Sequence, residues 1–203
     1  MDTVESRSMN RWIALIFVAA TIGCAPKPND LMPLATGRSW KYEVPPPIGP
    51  TVATYTVSRT VPVAGREGFE LTSSLGTSRM VWKDGILLAS QTAGAQFAPA
   101  LPIFAPLRTS YRGVMTFRGR ATRIEALTIR RREKERVNLR TKSVLAEVVD
   151  VRMDLPSESS GTATTYQLTN YFVPGTGIVQ QDLVMFTGRQ DTLVARLRLI
   201  SSN

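Results

Sequence analysis

Apolar and polar residues alternate one for one along separate stretches of this 203-residue chain. Trp40, Tyr42 and Val44 alternate with Lys41 and Glu43. Ala53, Tyr55 and Val57 alternate with Thr54, Thr56 and Ser58, and Val149, Val151, Met153 and Leu155 with Asp150, Arg152 and Asp154. The pattern returns at Tyr166, Leu168 and Phe172 in a Thr/Gln-rich stretch, and where Ala195, Leu197 and Leu199 alternate with Arg196 and Arg198. Successive side chains of a strand point to opposite faces, so this period predicts antiparallel strands with one buried and one wet face. Helical periodicity is not sustained over a dozen residues anywhere. Residues 126–138 (ALTIRRREKERVN) have a helix-forming composition without a full apolar stripe. They read as two long strands with a charged turn. Turn signals stand at Pro45-Pro46-Pro47, Lys83-Asp84-Gly85, Ser159-Ser160-Gly161 and Pro174-Gly175-Thr176-Gly177. The expected body is all-β, with minor α at most.

The N-terminal part reads differently. Arg7 and Arg11 precede an apolar run at 12–20 that is too short to cross a bilayer, which takes about 20 residues. A basic region, a short apolar core and then small residues make a secretory signal. Thr21-Ile22-Gly23-Cys24 resembles a bacterial lipobox, with Thr21 in place of the usual Leu. Met9-Asn10-Arg11 also offers a start for such a signal. The resemblance implies that Cys24 is lipidated, palmitate included, and becomes the first residue of the mature chain. Two acyl chains suffice for stable anchoring, where one is marginal. Ala25 is not the Asp that marks inner-membrane retention, so the resemblance implies the outer membrane, with the protein on its periplasmic face. The expected organisation is a signal peptide at 1–23, the lipidated Cys24 with a Pro-rich flexible tether over 24–37, and a single β domain at 38–203.

Composition narrows the chemistry. The chain has no histidine and one cysteine, which removes the commonest general base, the commonest metal ligand, an intrachain disulfide and any cysteine-cluster metal site. No cofactor or metal is expected. The net charge of +9 points to an anionic partner. For an exported chain, nucleic acid is excluded in favour of anionic lipid, peptidoglycan or an envelope protein.

Two phrases resemble a group of bacterial envelope lipoproteins without an assigned role. "LMPLATGRSWKYEV" (31–44) is similar to their opening, and "YFVPGTGIVQQD" (171–182) to their closing phrase. The resemblance implies a twisted antiparallel sheet or half-barrel in the style of periplasmic lipoprotein carriers, and no reaction. Read from the residues, Trp40 and Tyr42 are core anchors with ligand contact as the other option, and 174–177 is a hairpin turn that needs positive φ. Ile178-Val179 after the glycines reads as strand, whereas a phosphate-cradling loop needs a helix there. A short internal repeat links "MPLATGRSWKY" (32–42) and "APLRTSYRGVMTF" (105–117), two Pro-Leu corners each leading into a strand.

Two stretches are candidate sites. Arg118, Arg120, Arg123, Arg130, Arg131, Arg132, Lys134, Arg136, Arg140 and Lys142 form a basic run that is either a solvated strand surface or a contact for anionic surfaces. Residues 93–107 (AGAQFAPALPIFAPL) are apolar and Pro-rich, and read as a core-crossing connection or a flap over an apolar groove. Catalysis is hard to build. Asp150 and Asp154 share a strand face but stand about 13 Å apart, too far for a carboxylate pair. The expected function is a membrane-anchored, non-catalytic structural or interaction module of the envelope. The alternative is a carrier or sensor of a hydrophobic ligand, and an atypical glycan-acting enzyme stands third. An open apolar cavity would favour the carrier, and a filled core with a basic outer face the module.

Overall fold

The alternating stretches fold as strands of one antiparallel sheet, and the sheet closes on itself. A computed structural model describes residues 28–45, 51–92, 94–156, 164–187 and 190–203. The expected signal peptide at 1–23, Cys24, Pro46, Pro47 and the turn expected at Ser159-Ser160-Gly161 lie outside these residues. One turn of helix, α1 (Pro28–Leu31), precedes β1 (Ser39–Glu43), β2 (Val52–Val63), β3 (Arg66–Ser73), β4 (Gly76–Lys83), β5 (Ile86–Thr92) and β6 (Ala95–Phe104). Then come β7 (Thr109–Phe117), β8 (Arg120–Arg130), β9 (Glu135–Asn138), β10 (Ser143–Leu155), β11 (Thr164–Val173), β12 (Gly177–Thr187) and β13 (Gln190–Ser202).

Each strand from β1 to β8 pairs with the next, β8 pairs with β10, and β10 to β13 lead back to β1. The pairing of β10 with β11, from Glu147↔Phe172 to Leu155↔Thr164, completes a ring of twelve strands. The all-β antiparallel fold is as expected, and the curvature goes beyond a half-barrel. Closure removes the two unpaired edges that an open sheet would expose. β9 stands outside the twelve and carries on the line of β8. Arg130 opposes Val149, Arg131 N–H donates to Val148 O (2.9 Å), and Glu135 opposes Ala146. The stretch at 126–138 thus holds the ends of two strands with a charged break at 131–134, as read from the sequence, and both strands pair with β10 rather than with each other.

The internal repeat has a structural counterpart. β1 and β7, the strands that follow the two Pro-Leu corners, lie six places apart in the twelve-strand ring. Each opens one half of the wall.

Hairpin turns alternate between the two ends. The connections after β2, β4, β6, β8 and β11 lie at the end where α1 sits, and those after β3, β5, β7, β10 and β12 at the other. Twelve strands enclose more space than side chains readily fill, since about eight make a lumen that side chains just occupy. The α1 end is filled. Phe104 stacks edge-on to Trp82 and to Phe172, with ring centroids 5.5 Å apart in both pairs. Leu31 and Met32, each only 3% exposed, close it from below, and Trp82 Nε1 donates to Met32 O (2.9 Å). This corrects the tether expected over 24–37 for residues 28–37, while 24–27 lie outside the described residues. Burying an apolar side chain such as Leu31 or Met32 contributes about 1.5–3 kcal/mol, enough to hold residues 28–37 on the barrel.

The opening and closing phrases meet here. Arg38 donates to Gly175 O, Trp40 Nε1 to Thr176 O, and Tyr42 Oη to Ile178 O at 2.7 Å. Burial, with Tyr55 beside it, pushes the Tyr42 phenol far above its ordinary range, so it stays a donor at any physiological pH. Gly175 and Gly177 have φ of 73° and 105°, as the turn reading requires. A Cβ on Gly177 would stand 2.9 Å from Trp40 Nε1. Both aromatics are buried core anchors.

Residues 94–107 of the 93–107 stretch are neither a flap nor a crossing, and Ala93 lies outside the described residues. They form β6, a wall strand, with the corner that follows it. Its two prolines lack the N–H a ladder needs, and β6 pairs with β7 only over Gln96, Phe97 and Ala98. The Tyr111 hydroxyl donates to Pro99 O (2.7 Å). Gly113 makes room for this, because a Cβ there would lie 2.2 Å from Tyr111 Oη and 2.8 Å from Ala98 O. Gly113→Ala is therefore expected to cost about 1–3 kcal/mol by overpacking, read as a lower urea midpoint at unchanged slope.

Candidate functional site

Away from α1 the inner face changes character. Thr92, Ala95, Thr122 and Ala195, side chains too short to meet across the lumen, stand among the larger ones here. They leave an open cavity of about 940 Å³. Its wall includes Phe97 of β6, Met115 and Phe117 of β7, Met153 and Leu155 of β10, Tyr166 and Leu168 of β11, and Leu183 of β12. Leu197 of β13 and Tyr55 of β2 reach toward the floor, where a further space of about 40 Å³ continues between Met32, Trp40 and Met80. The Tyr55 ring is held edge-on to Tyr42, centroids 5.7 Å apart. Toward the floor, Gln181 Nε2 donates to Asn170 Oδ1 (2.7 Å). The charged residue on the lining is Arg120, at the rim.

The outer wall is the reverse. Glu70 is bound at 2.9 Å by both Arg59 and Arg79. Asp182 takes both a 2.7 Å and a 2.8 Å bond from Arg196. Asp150 takes a fork from Arg131 and a hydroxyl from Thr169. A barrel that crosses a membrane carries an apolar outer band and a polar interior. Here the interior is apolar and the outside charged.

The basic run does not make one surface. Arg118 and Arg120 lie at the open mouth, Arg118 with its guanidinium 5.3 Å from the Phe117 ring centre. Arg123 is on the outer wall, between the two ends. The remaining seven are at the α1 end, about 30 Å away along β8. Of these, Arg130 and Lys134 bind Glu147 (2.7 and 3.0 Å), and Arg131 binds Asp150 and Glu135. Arg132, Arg136, Arg140 and Lys142 are exposed. Sequence reasoning did not find the cavity itself, because its lining comes from nine strands scattered along the chain. Ala95 and Phe97 of the 93–107 stretch and Arg120 of the basic run were the lining residues that fell within a site reading.

Burial works to raise the Glu147 carboxyl, but Lys134 and Arg130 outweigh it and hold its pKa below the usual range. A depressed carboxyl adds stability above its unfolded pKa and loses it as pH falls through the folded value. Glu147→Gln is therefore expected to lower the melting temperature at pH 7, with the gap to wild type closing on acidification toward pH ~3. Thermal melts across that range check it.

Among the described residues no group of three or more Asp, Glu, Cys or His side chains is placed to hold a metal. No helix there is long and apolar enough to cross a membrane. Fold and site together define a closed antiparallel β-barrel with a charged wall and an apolar lumen open at one end. No family model matches the chain, and no curated protein matches it. Two solved structures share the fold. One is a presumed lipoprotein of Parabacteroides distasonis, 12% identical, with a TM-score of 0.54 over 85% of this chain and 98% of that one. The other is a presumed exported protein with a YmcC-like fold from Bacteroides fragilis, 12% identical, with a TM-score of 0.51 over 89% of this chain and all of that one.

Proposed function

We propose that this chain is a lipid-anchored protein of the bacterial envelope, attached to the outer membrane through Cys24 on its periplasmic side, that holds a hydrophobic ligand in the mouth of its barrel without transforming it. The observation that carries this reading is the open apolar cavity of about 940 Å³. That is the size and character of a site for a small lipid or similar molecule. The envelope address rests on the lipobox-like Thr21-Ile22-Gly23-Cys24, and the two proteins of similar fold bear names that agree with export. The carrier, second at the level of sequence, thus moves ahead of the interaction module.

The test is to secrete residues 25–203 into a bacterial periplasm, purify without detergent and record a native mass spectrum. An apolar mass that is lost on organic extraction is the expected result. A clean apo mass, unchanged after incubation with lipid vesicles, returns the protein to the interaction-module reading. Blocking signal peptidase II, or making Cys24→Ala, tests the anchor separately by mass and membrane fractionation.

A further inference from the structure

We propose that the α1 end of the barrel is a membrane-docking face that seats on anionic lipid head groups and turns the mouth away from the bilayer. The inference rests on Cys24 being the anchor, and it says which way the barrel stands on that anchor.

Chain length sets the distance. α1 is bound to the barrel at this end, with Gly175 N–H donating to Asp30 O at 2.7 Å and Leu31 and Met32 buried beneath the lumen. From Cys24 to Pro28 the chain can reach at most about 14 Å. An acylated Cys24 therefore holds this end close to the head groups, while the mouth is about 30 Å further off.

Charge sets the partner. Arg132 precedes β9, Arg136 lies on it, and Arg140 and Lys142 lie in the turn after it. All four are exposed, and none is in an ion pair among the described residues. Glu133 is the exposed acid among them. Arg130, Arg131 and Lys134 close by are committed to carboxylates, which leaves these four to meet phosphate. Each basic residue near an anionic surface raises partitioning about fivefold, and the gain fades within a Debye length of about 8 Å.

Apolar side chains complete the face. In the β9–β10 pair, Val137 and Ala146 are buried on one side, while Arg136 and Leu145 stand opposite each other on the other side. Leu145 is 57% exposed. Leu107, in the corner after β6 at the same end, is 77% exposed, whereas its repeat counterpart Leu34 packs against the core. Exposed leucines among cations are the pattern of a surface that lies in the head-group boundary.

Acylation consumes the Cys24 thiol, so one introduced cysteine can carry an environment-sensitive fluorophore. Leu145→Cys reports on the docking face and Arg118→Cys on the mouth. The acylated chain is reconstituted into vesicles of phosphatidylcholine, or of phosphatidylcholine and phosphatidylglycerol in equal parts. The expected result is blue-shifted emission, shielded from an aqueous quencher, at 145 on the anionic vesicles only, with 118 aqueous on both. The charge reversals R136E, R140E and K142E together should abolish the shielding while the protein stays anchored. Shielding at 118 in place of 145, or equal behaviour on neutral vesicles, overturns the proposal. If the mass lacks acyl chains, the anchor reading fails by itself. The docking face is then judged by co-sedimentation of the chain with the same vesicles, where a lack of phosphatidylglycerol dependence overturns it.

Discussion

Trp40→Ala is expected to remove about 3–5 kcal/mol of stability, the usual cost of deleting a fully buried large aromatic. Trp40 is 0% exposed, its indole N–H is bonded to Thr176 O, and it stands against Met32 and Gly177 where the opening and closing phrases meet. Three layers loosen at once: the N-terminal segment, β1 and the β11–β12 turn. A domain of this size holds about 5–15 kcal/mol in all, and each kcal/mol is worth about 2–4 °C. The melting temperature should therefore fall by roughly 6–20 °C. Trp40→Phe separates the two contributions. It keeps most of the ring but leaves Thr176 O without its donor, at a cost of about 1–3 kcal/mol. Far-ultraviolet circular dichroism in urea reads both variants without relying on tryptophan fluorescence. A loss below about 1 kcal/mol for Trp40→Ala would mean that this end of the barrel is held elsewhere.

Ala195→Trp is expected to abolish ligand binding and spare the fold. Ala195 lies on the inner face of β13, directly opposite Leu183 of β12, and both line the cavity. An indole placed there projects into open space, so the overpacking cost of a filled core does not arise. It occupies room the ligand needs. Binding of a fluorescent fatty-acyl probe should weaken at least tenfold, about 1.4 kcal/mol, with the unfolding midpoint nearly unchanged. Val184→Trp is the control, since its side chain lies on the outer face of the adjoining strand, and it should leave binding as it is. Equal loss in both variants would place the probe on the outer wall and remove the cavity from the argument.

The wall was legible one strand at a time. The alternations at 40–44, 53–57, 149–155, 166–172 and 195–199 lie in or beside β1, β2, β10, β11 and β13, with their apolar members turned inward. The glycines of 174–177 and Asp84-Gly85 take the positive φ that their turns require. These features are local: a strand's faces follow from its period of two, and a turn's conformation follows from its residues. Residues 93–107 misled for a physical reason. Pro99 and Pro102 break the alternation and the ladder, so a wall strand lost the signal by which strands are read. Leu31 and Met32 misled for another, because a Pro-rich composition predicts a free tether when nothing in it shows a socket waiting for two apolar side chains.

By itself, the sequence determined the class of fold, the inward set of apolar residues and the turns at 83–85 and 174–177. Whether the sheet stayed open or closed was a tertiary matter. It turned on β10 finding β11 after β8, a pairing that no single strand's pattern encodes. The same holds for the cavity, which exists because twelve strands enclose more volume than Trp82, Phe104, Phe172 and the N-terminal plug occupy. It holds too for the basic run. Residues adjacent in sequence were carried to opposite ends of the barrel by the length of β8, because a strand spaces its residues about 3.3 Å apart along a nearly straight line.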